Sequence, residues 1–133
     1  VWHDIAETRV GDMHKVATRY ITNKMEAEEK VMQDQFQDIE FGEDILWLFH
    51  EYEHRTTLEG IIAKDADYLE QAFQAKKYME IGFSETQDWI INVGKSLRTE
   101  SAKKLWEELQ TTGFTDWWKK WNLKKIEATE IYN

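Results

Sequence analysis

Apolar side chains recur at intervals of three and four residues along nearly the whole chain. This spacing places them on one face of an α-helix. Around the middle of the chain, for example, Ile45, Leu48, Phe49 and Tyr52 fall on a single face. No segment alternates apolar and polar residues as a half-buried strand does. The pattern therefore predicts an all-α protein.

The expected helix boundaries follow from glycines and capping residues, since the chain has no proline and only six glycines. Gly11 suits a left-handed position that ends a first helix. Asn23 and Thr57 are typical N-caps, Gly82 offers a stop, and Ser84 with Gln87 has the spacing of a capping box. The later helices are expected over about residues 24–38, 44–55, 58–81, 85–97 and 101–111, with a last one from about residue 115.

Length and charge limit the classes of partner. The 133 residues suit one domain, and 26 acidic against 17 basic residues give a net charge of −9. This charge repels a long nucleic acid, although a bound cation would still let a small phosphate ester approach. No apolar run approaches the roughly 18 residues that cross a membrane, so we expect no membrane partner and a cytoplasmic location. Because the chain opens on Val1 without Met, we expect it to be part of a longer polypeptide.

The first residues contain a group of side chains suited to metal-assisted hydrolysis. His3 and Asp4 are adjacent, and Glu7 and Asp12 follow closely. On a helix, Glu7 would project to the same side as His3 and Asp4 at about 100° per residue. One divalent cation could then polarise a phosphoryl oxygen and activate a water whose proton passes to Glu7. The alternative is a solvated acidic helix end.

Three motifs together resemble those of a known family. They are His-Asp-Ile-Ala-Glu followed by Gly11-Asp12, then Glu51-Tyr52-Glu53, and then the stretch from Lys64 to Glu70. This set resembles the HD superfamily of metal-dependent phosphohydrolases, and most closely its branch of small 5'-deoxynucleotidases. The resemblance covers most of residues 1–80.

The resemblance implies an HD-domain-like helical bundle over residues 1–133, incomplete at its N-terminus, that hydrolyses nucleoside monophosphates. It implies His3, Asp4 and Asp67 as ligands of a divalent metal such as Mn, Co, Mg, Zn, Fe or Ni. Glu7 would handle the attacking water, and Asp12 would be a second essential carboxylate. The family's upstream His and its phosphate-binding Arg have no counterpart here. The resemblance also implies a homodimer.

The distant metal ligand has two candidates. On a helical wheel Asp65 falls in an apolar stripe with Leu58, Ile62, Leu69 and Phe73, whereas Asp67 points away from it. Periodicity therefore favours Asp65 as the buried carboxylate, and the spacing of the family motif favours Asp67. We take Asp67 as the ligand and Asp65 as the alternative.

Two further sets of residues bear on function. Lys15 and Arg19 follow Asp12 in a segment expected beside the pocket, where cations could bind a substrate phosphate. His50, Glu51 and His54 match the zinc-peptidase pattern H-E-x-x-H, but the two histidines are expected to face solvent, opposite the apolar side of their helix.

The C-terminal third is rich in tryptophan. Trp89 and Trp106 suit a helical core, and for Trp117, Trp118 and Trp121 we favour packing over a partner surface. The sequence thus favours a phosphohydrolase acting on a small nucleotide or phosphate ester. A helical binding module without activity is the second interpretation, and a zinc peptidase is a remote third.

Overall fold

The computed structural model describes residues 2–119 of the chain. No strand occurs in this part of the chain, so the all-α prediction is confirmed. Short 3-10 helices lie at Ala17–Arg19 and Ser84–Thr86. The α-helices are α1 (Glu7–Val10), α2 (Lys24–Phe36), α3 (Gly42–His54), α4 (Leu58–Glu80), α5 (Gln87–Ser96), α6 (Glu100–Thr111) and α7 (Asp116–Lys119).

Most expected boundaries hold to within two residues. Gly11 and Gly82 have φ values of 77° and 114°, a region that glycine enters without strain, and they end the helices expected to stop there. Asn23 precedes α2 as expected, but its side chain makes no capping hydrogen bond.

Two local predictions are wrong. Residues 3–6 form turns, and α1 begins only at Glu7, so His3 and Asp4 precede the helix rather than lie on it. The expected capping box at Ser84 is instead a 3-10 helix, and Thr86, which precedes α5, makes no side-chain cap. The hydroxyl of Thr86 instead lies within hydrogen-bonding distance of two carbonyls, that of Phe83 at 2.7 Å and that of Ala75 in α4 at 2.9 Å.

The chain folds into two compact units, Val1–Lys64 and Asp65–Asn133. In the first unit the segment around α1 packs with α2 and α3. The buried core residues of this unit are Ala6, Met32, Phe36, Ile45 and Phe49. Leu48, which shares their helical face in the sequence pattern, is largely exposed.

The second unit packs the C-terminal part of α4 with α5 and α6. Its buried core residues are Leu69, Ala72, Val93, Leu97, Ala102 and Leu109. Trp106 packs against this core, and its indole N–H donates to the carbonyl of Ile90 at 2.7 Å. Trp89 is 55% exposed, so its predicted place in the core is wrong.

The C-terminal tryptophans differ from expectation where they are described. Trp117 and Trp118 are both exposed, so the packing that we favoured for them is not observed. Trp121 lies outside the described residues. Within the described part, no helix combines the length and apolar character needed to cross a membrane.

Candidate functional site

A hydrogen-bonded turn carries the first three candidate residues. The amide of Glu7 donates to the carbonyl of Asp4 at 3.0 Å, and the amide of Gly11 donates to the carbonyl of Glu7 at 2.8 Å. Ala6 is almost fully buried in the core of the first unit and anchors this segment. Although the segment is not a helix at His3, its i to i+3 bonding still links Asp4 to Glu7 as one helical turn would.

His3 and Asp4 lie together as the sequence predicts. The Nε2 atom of His3 is 2.9 Å from Oδ2 of Asp4. The imidazole packs against the ring of Tyr52, with 4.9 Å between ring centroids. Tyr52 is buried on α3, so its ring is a fixed packing surface for the imidazole.

Beside the Tyr52 ring that packs against His3 lie two charged residues, Lys64 and Glu53, to which the sequence assigned no role. The ammonium of Lys64 lies 4.0 Å from the centroid of the Tyr52 ring, a cation–π contact. It also donates to Oε1 of Glu53 at 3.0 Å. The Tyr52-Glu53 pair and Lys64 were noted only as family motifs, and the structure shows that they contact one another beside His3.

Glu7 lies in an acidic environment. Burial, and then the negative charges of Asp12 and Asp4, raise the pKa of Glu7 above its ordinary value. Glu28 adds to this effect, and the positive charge of Lys24 opposes it. Such a carboxylate holds a proton more readily than an exposed one, as a general base near neutral pH requires. The negative charge of Asp12 therefore acts on Glu7, as that of Asp4 does.

Lys24 is the cation in direct contact with Glu7. Its Nζ lies 3.7 Å from Oε1 of Glu7 and 3.2 Å from Oε1 of Glu28. Neither Lys24 nor Glu28 was singled out in the sequence, because a Lys and a Glu one turn apart are common on solvated helix faces. Only the packing of α2 beside α1 brings this pair to Glu7.

The predicted substrate-binding residues lie on the surface of the first unit. Lys15 and Arg19 are both exposed, and Arg19 ends the 3-10 helix Ala17–Arg19. The amide of Ala17 donates to Nδ1 of His14 at 3.2 Å, which helps to close this turn. Both cations are therefore accessible to a ligand.

Asp65 and Asp67 have different surroundings on α4. Asp65 is 1% exposed, and its carboxylate accepts hydrogen bonds from the amides of Arg98 and Thr99 and from the Thr99 hydroxyl, at 2.7–3.1 Å. It therefore holds the N-terminus of α6. Asp67 is half-buried and is not a partner in these bonds. The helical wheel correctly predicted that Asp65 is buried. Its carboxylate, however, stabilises the start of α6 through these hydrogen bonds.

The H-E-x-x-H residues have other partners. Nε2 of His50 is 3.6 Å from Oε1 of Glu29, and the rings of His50 and His54 stack at 5.9 Å. Glu51 is buried, and its Oε1 accepts a hydrogen bond from the Thr57 hydroxyl at the start of α4. Because Glu51 is engaged in a helix cap, the geometry gives no support to a peptidase site.

A family model described as HD domain matches residues 1–111 of the chain. The chain belongs to the HD domain family. Proteins of this family are in general metal-dependent hydrolases, and they typically bind divalent cations. No curated protein and no solved structure matches the chain.

The donor pair of this HD domain fits part of a cation site. Nε2 of His3 and Oδ2 of Asp4 form an ion pair at 2.9 Å, and a cation bound by both atoms would replace the proton between them. Imidazole nitrogen with carboxylate oxygen also suits borderline divalent metals. Within residues 2–119, however, no three side chains of metal-binding type form a group that could hold an ion. His3 and Asp4 would thus supply two ligands, and further ones are needed.

Proposed function

We propose that this HD domain is a metal-dependent phosphomonoesterase that acts on nucleoside 5'-monophosphates, with deoxynucleotides as its preferred substrates. The observation that carries the proposal is the close pair of His3 and Asp4 beside Glu7, in a chain that belongs to a family of metal-dependent hydrolases. In this proposal Asp67 on α4 completes the ligand set with His3 and Asp4, and Asp65 does not. A divalent cation, when bound, would polarise a phosphoryl oxygen and lower the pKa of a water molecule.

Glu7 is the proposed general base. Its carboxylate accepts a proton of the water as the water oxygen bonds to phosphorus. The bond from phosphorus to the ester oxygen breaks, and that oxygen leaves with the electron pair and takes a proton from solvent. The raised pKa of Glu7 supports this role, because a stronger base accepts the proton more readily. Asp12 acts through its negative charge, which contributes to that raised pKa.

Substrate binding is proposed for Lys15 and Arg19. Both are exposed, and both follow Asp12 closely in the chain. The protein as a whole carries a net charge of −9, so a dianionic phosphate needs local cations to approach. Loss of either cation should raise KM more than it lowers kcat.

A binding module without activity is the second candidate. It is favoured by one observation: among the described residues no group of three metal-binding side chains is assembled. In that case the fold would persist, and phosphate release would be absent with any metal.

Phosphate release from a panel of nucleoside and deoxynucleoside monophosphates distinguishes the phosphomonoesterase from the binding module. The reactions contain manganese, cobalt or magnesium, with EDTA as the metal-free control. We expect release that depends on metal and falls about 10²- to 10⁴-fold in Glu7→Gln. Glu26→Gln, a change at an exposed glutamate of α2, is the matched control and should retain activity. Absence of release with every metal would reject the enzyme and leave the binding module.

A further inference from the structure

Helix stability does not explain the position of the ion pair between Lys24 and Glu28. Lys24 is the first residue of α2, and a positive charge there opposes the helix dipole. A lysine placed before its glutamate at i and i+4 is also the less favourable order. The same helix contains Glu26 and Lys30 in the favourable order, 2.7 Å apart.

The two pairs also differ in burial. The Lys24 side chain is 32% exposed and that of Glu28 is 13% exposed, whereas Lys30 and Glu26 are 71% and 62% exposed. A partly buried ion pair is less screened by solvent than an exposed one. The attraction between Lys24 and Glu28 is therefore the less screened of the two.

Lys24 is surrounded by negative charge. Burial acts to lower its pKa, but the hydrogen bond and charge of Glu28, with the charges of Glu7 and Asp12, raise its pKa on balance. The ammonium thus remains protonated beside the Glu7 carboxylate. Within residues 2–119, Lys24 is the cation in contact with Glu7 that offsets the negative charges of Asp4, Asp12 and Glu28.

We propose that Lys24 is a positioning residue for Glu7, and that Glu28 holds Lys24 in place from one turn further along α2. This inference rests on the proposed function, because it assigns Lys24 to the general base of that reaction. The Lys24 ammonium attracts Oε1 of Glu7 from 3.7 Å. The other carboxylate oxygen of Glu7, Oε2, is thereby left to accept the proton of the water.

Steady-state kinetics of Lys24→Met test this role against a substrate-binding one. A displaced base lowers kcat, and we expect a loss of about 10- to 100-fold with KM changed by no more than about twofold. Lys24→Arg should recover most of the loss, because it keeps the positive charge. Lys30→Met, which breaks the exposed pair on the same helix, is the matched control and should leave kcat and KM unchanged.

Glu28→Gln tests the second part of the proposal. It should lower kcat less than Lys24→Met does, and it should cause no further loss of kcat when Lys24 is already Met. A raised KM at unchanged kcat in Lys24→Met would show that Lys24 binds substrate, and would overturn the proposal. Equal effects of Lys24→Met and Lys30→Met would also overturn it.

A double-mutant cycle on thermal unfolding, without substrate or metal, keeps this inference separate from the proposed function. If Lys24 holds Glu7, Lys24→Met should lower the melting temperature more in the presence of Glu7 than in Glu7→Gln. Additive shifts would overturn the positioning role. If the wild-type protein releases no phosphate, the proposed function fails, and the cycle alone decides whether Lys24 holds Glu7.

Discussion

Asp65 and Asp67 are separated by about 200° around α4, because each residue of an α-helix turns by about 100°. Asp65 is buried and accepts backbone hydrogen bonds from Arg98 and Thr99. A carboxylate engaged in this way has few lone pairs left for a cation. The hydrogen bonds of Asp65 therefore argue against Asp65 as a metal ligand.

Alanine substitutions at the two positions should separate stability from metal binding. Asp65→Ala leaves the partly buried amides of Arg98 and Thr99 unpaired, and we expect it to lower the free energy of unfolding by about 2–3 kcal/mol. Asp67→Ala should abolish metal binding and lower the free energy of unfolding less than Asp65→Ala does. Urea unfolding and isothermal titration with Mn²⁺ provide the two measurements. Full metal binding by Asp67→Ala, with loss in Asp65→Ala, would reverse the assignment.

The charged carboxylate of Glu7 should destabilise the folded protein to an extent that depends on pH. Its pKa in the folded protein is raised above the ordinary value of 4.5, so the folded state binds a proton more tightly than the unfolded state. Protonated Glu7 therefore favours folding, and this contribution is lost as pH rises through the raised pKa.

Glu7→Gln should accordingly raise the melting temperature at pH 7, where wild-type Glu7 is charged. The gain should shrink as pH falls below 4.5, because wild-type Glu7 is then protonated as well. Differential scanning fluorimetry across this pH range measures the effect. A gain that stays constant with pH would show that desolvation and repulsion at Glu7 are not its cause.

At the scale of elements, the connection from α3 to α4 is held by a close helix contact and by a side-chain cap. Gly60 is buried where α4 passes the carbonyl of Glu51, and a Cβ at this position would overlap that carbonyl oxygen. Thr57 caps α4 by accepting from the amide of Gly60 at 3.0 Å, and it donates to Glu51. The close approach by Gly60 therefore sets the path of α4 where it leaves α3, the helix that carries Tyr52.

Removal of this cap should destabilise the first unit. Thr57→Ala loses the N-cap of α4 and leaves buried Glu51 without its hydroxyl partner, so we expect a loss of about 1–2 kcal/mol in unfolding free energy. Thr56→Ala, at the exposed neighbouring residue, is the matched control and should cost little. Chemical denaturation gives both values, and equal losses would show that the cap is not the reason.

At the scale of the whole molecule, metal binding should be visible as stabilisation. A ligand that binds only the folded state at about 100 times its Kd adds about 2.7 kcal/mol. Mn²⁺ should raise the melting temperature of the wild type and have no such effect on His3→Ala or Asp4→Ala. His54→Ala, a change at an exposed histidine of α3, is the control. A shift lost in His54→Ala but kept in His3→Ala would place the cation elsewhere.

A homodimer is our proposal for the oligomeric state, and the exposed aromatic residues of the second unit offer a surface for it. Trp117 and Trp118 stack at 6.3 Å and are both exposed. Light scattering across about a hundredfold range of protein concentration should show a dimer that Trp117→Ser weakens. A monomer at every concentration would reject this proposal.

The sequence by itself determined the helical class, most helix boundaries and the His3-Asp4 pair. These features depend on neighbours within about one turn, such as the positive φ at Gly11 and the cap at Thr57. Local residue types decide them, because the interactions form between residues close together in the chain. The sequence did not predict the late start of α1, because over four residues the periods of i to i+3 turns and of an α-helix, about 3.0 and 3.6 residues, are too similar to distinguish.

Only the tertiary structure decided what the partly buried charged residues do. Asp65 holds the start of α6 from 33 positions away in the sequence, and Lys24 meets Glu7 because α2 packs beside α1. The exposure of Leu48 and Trp89 was decided in the same way. A helical period shows which residues share a face, but which part of that face is covered depends on the elements that pack there.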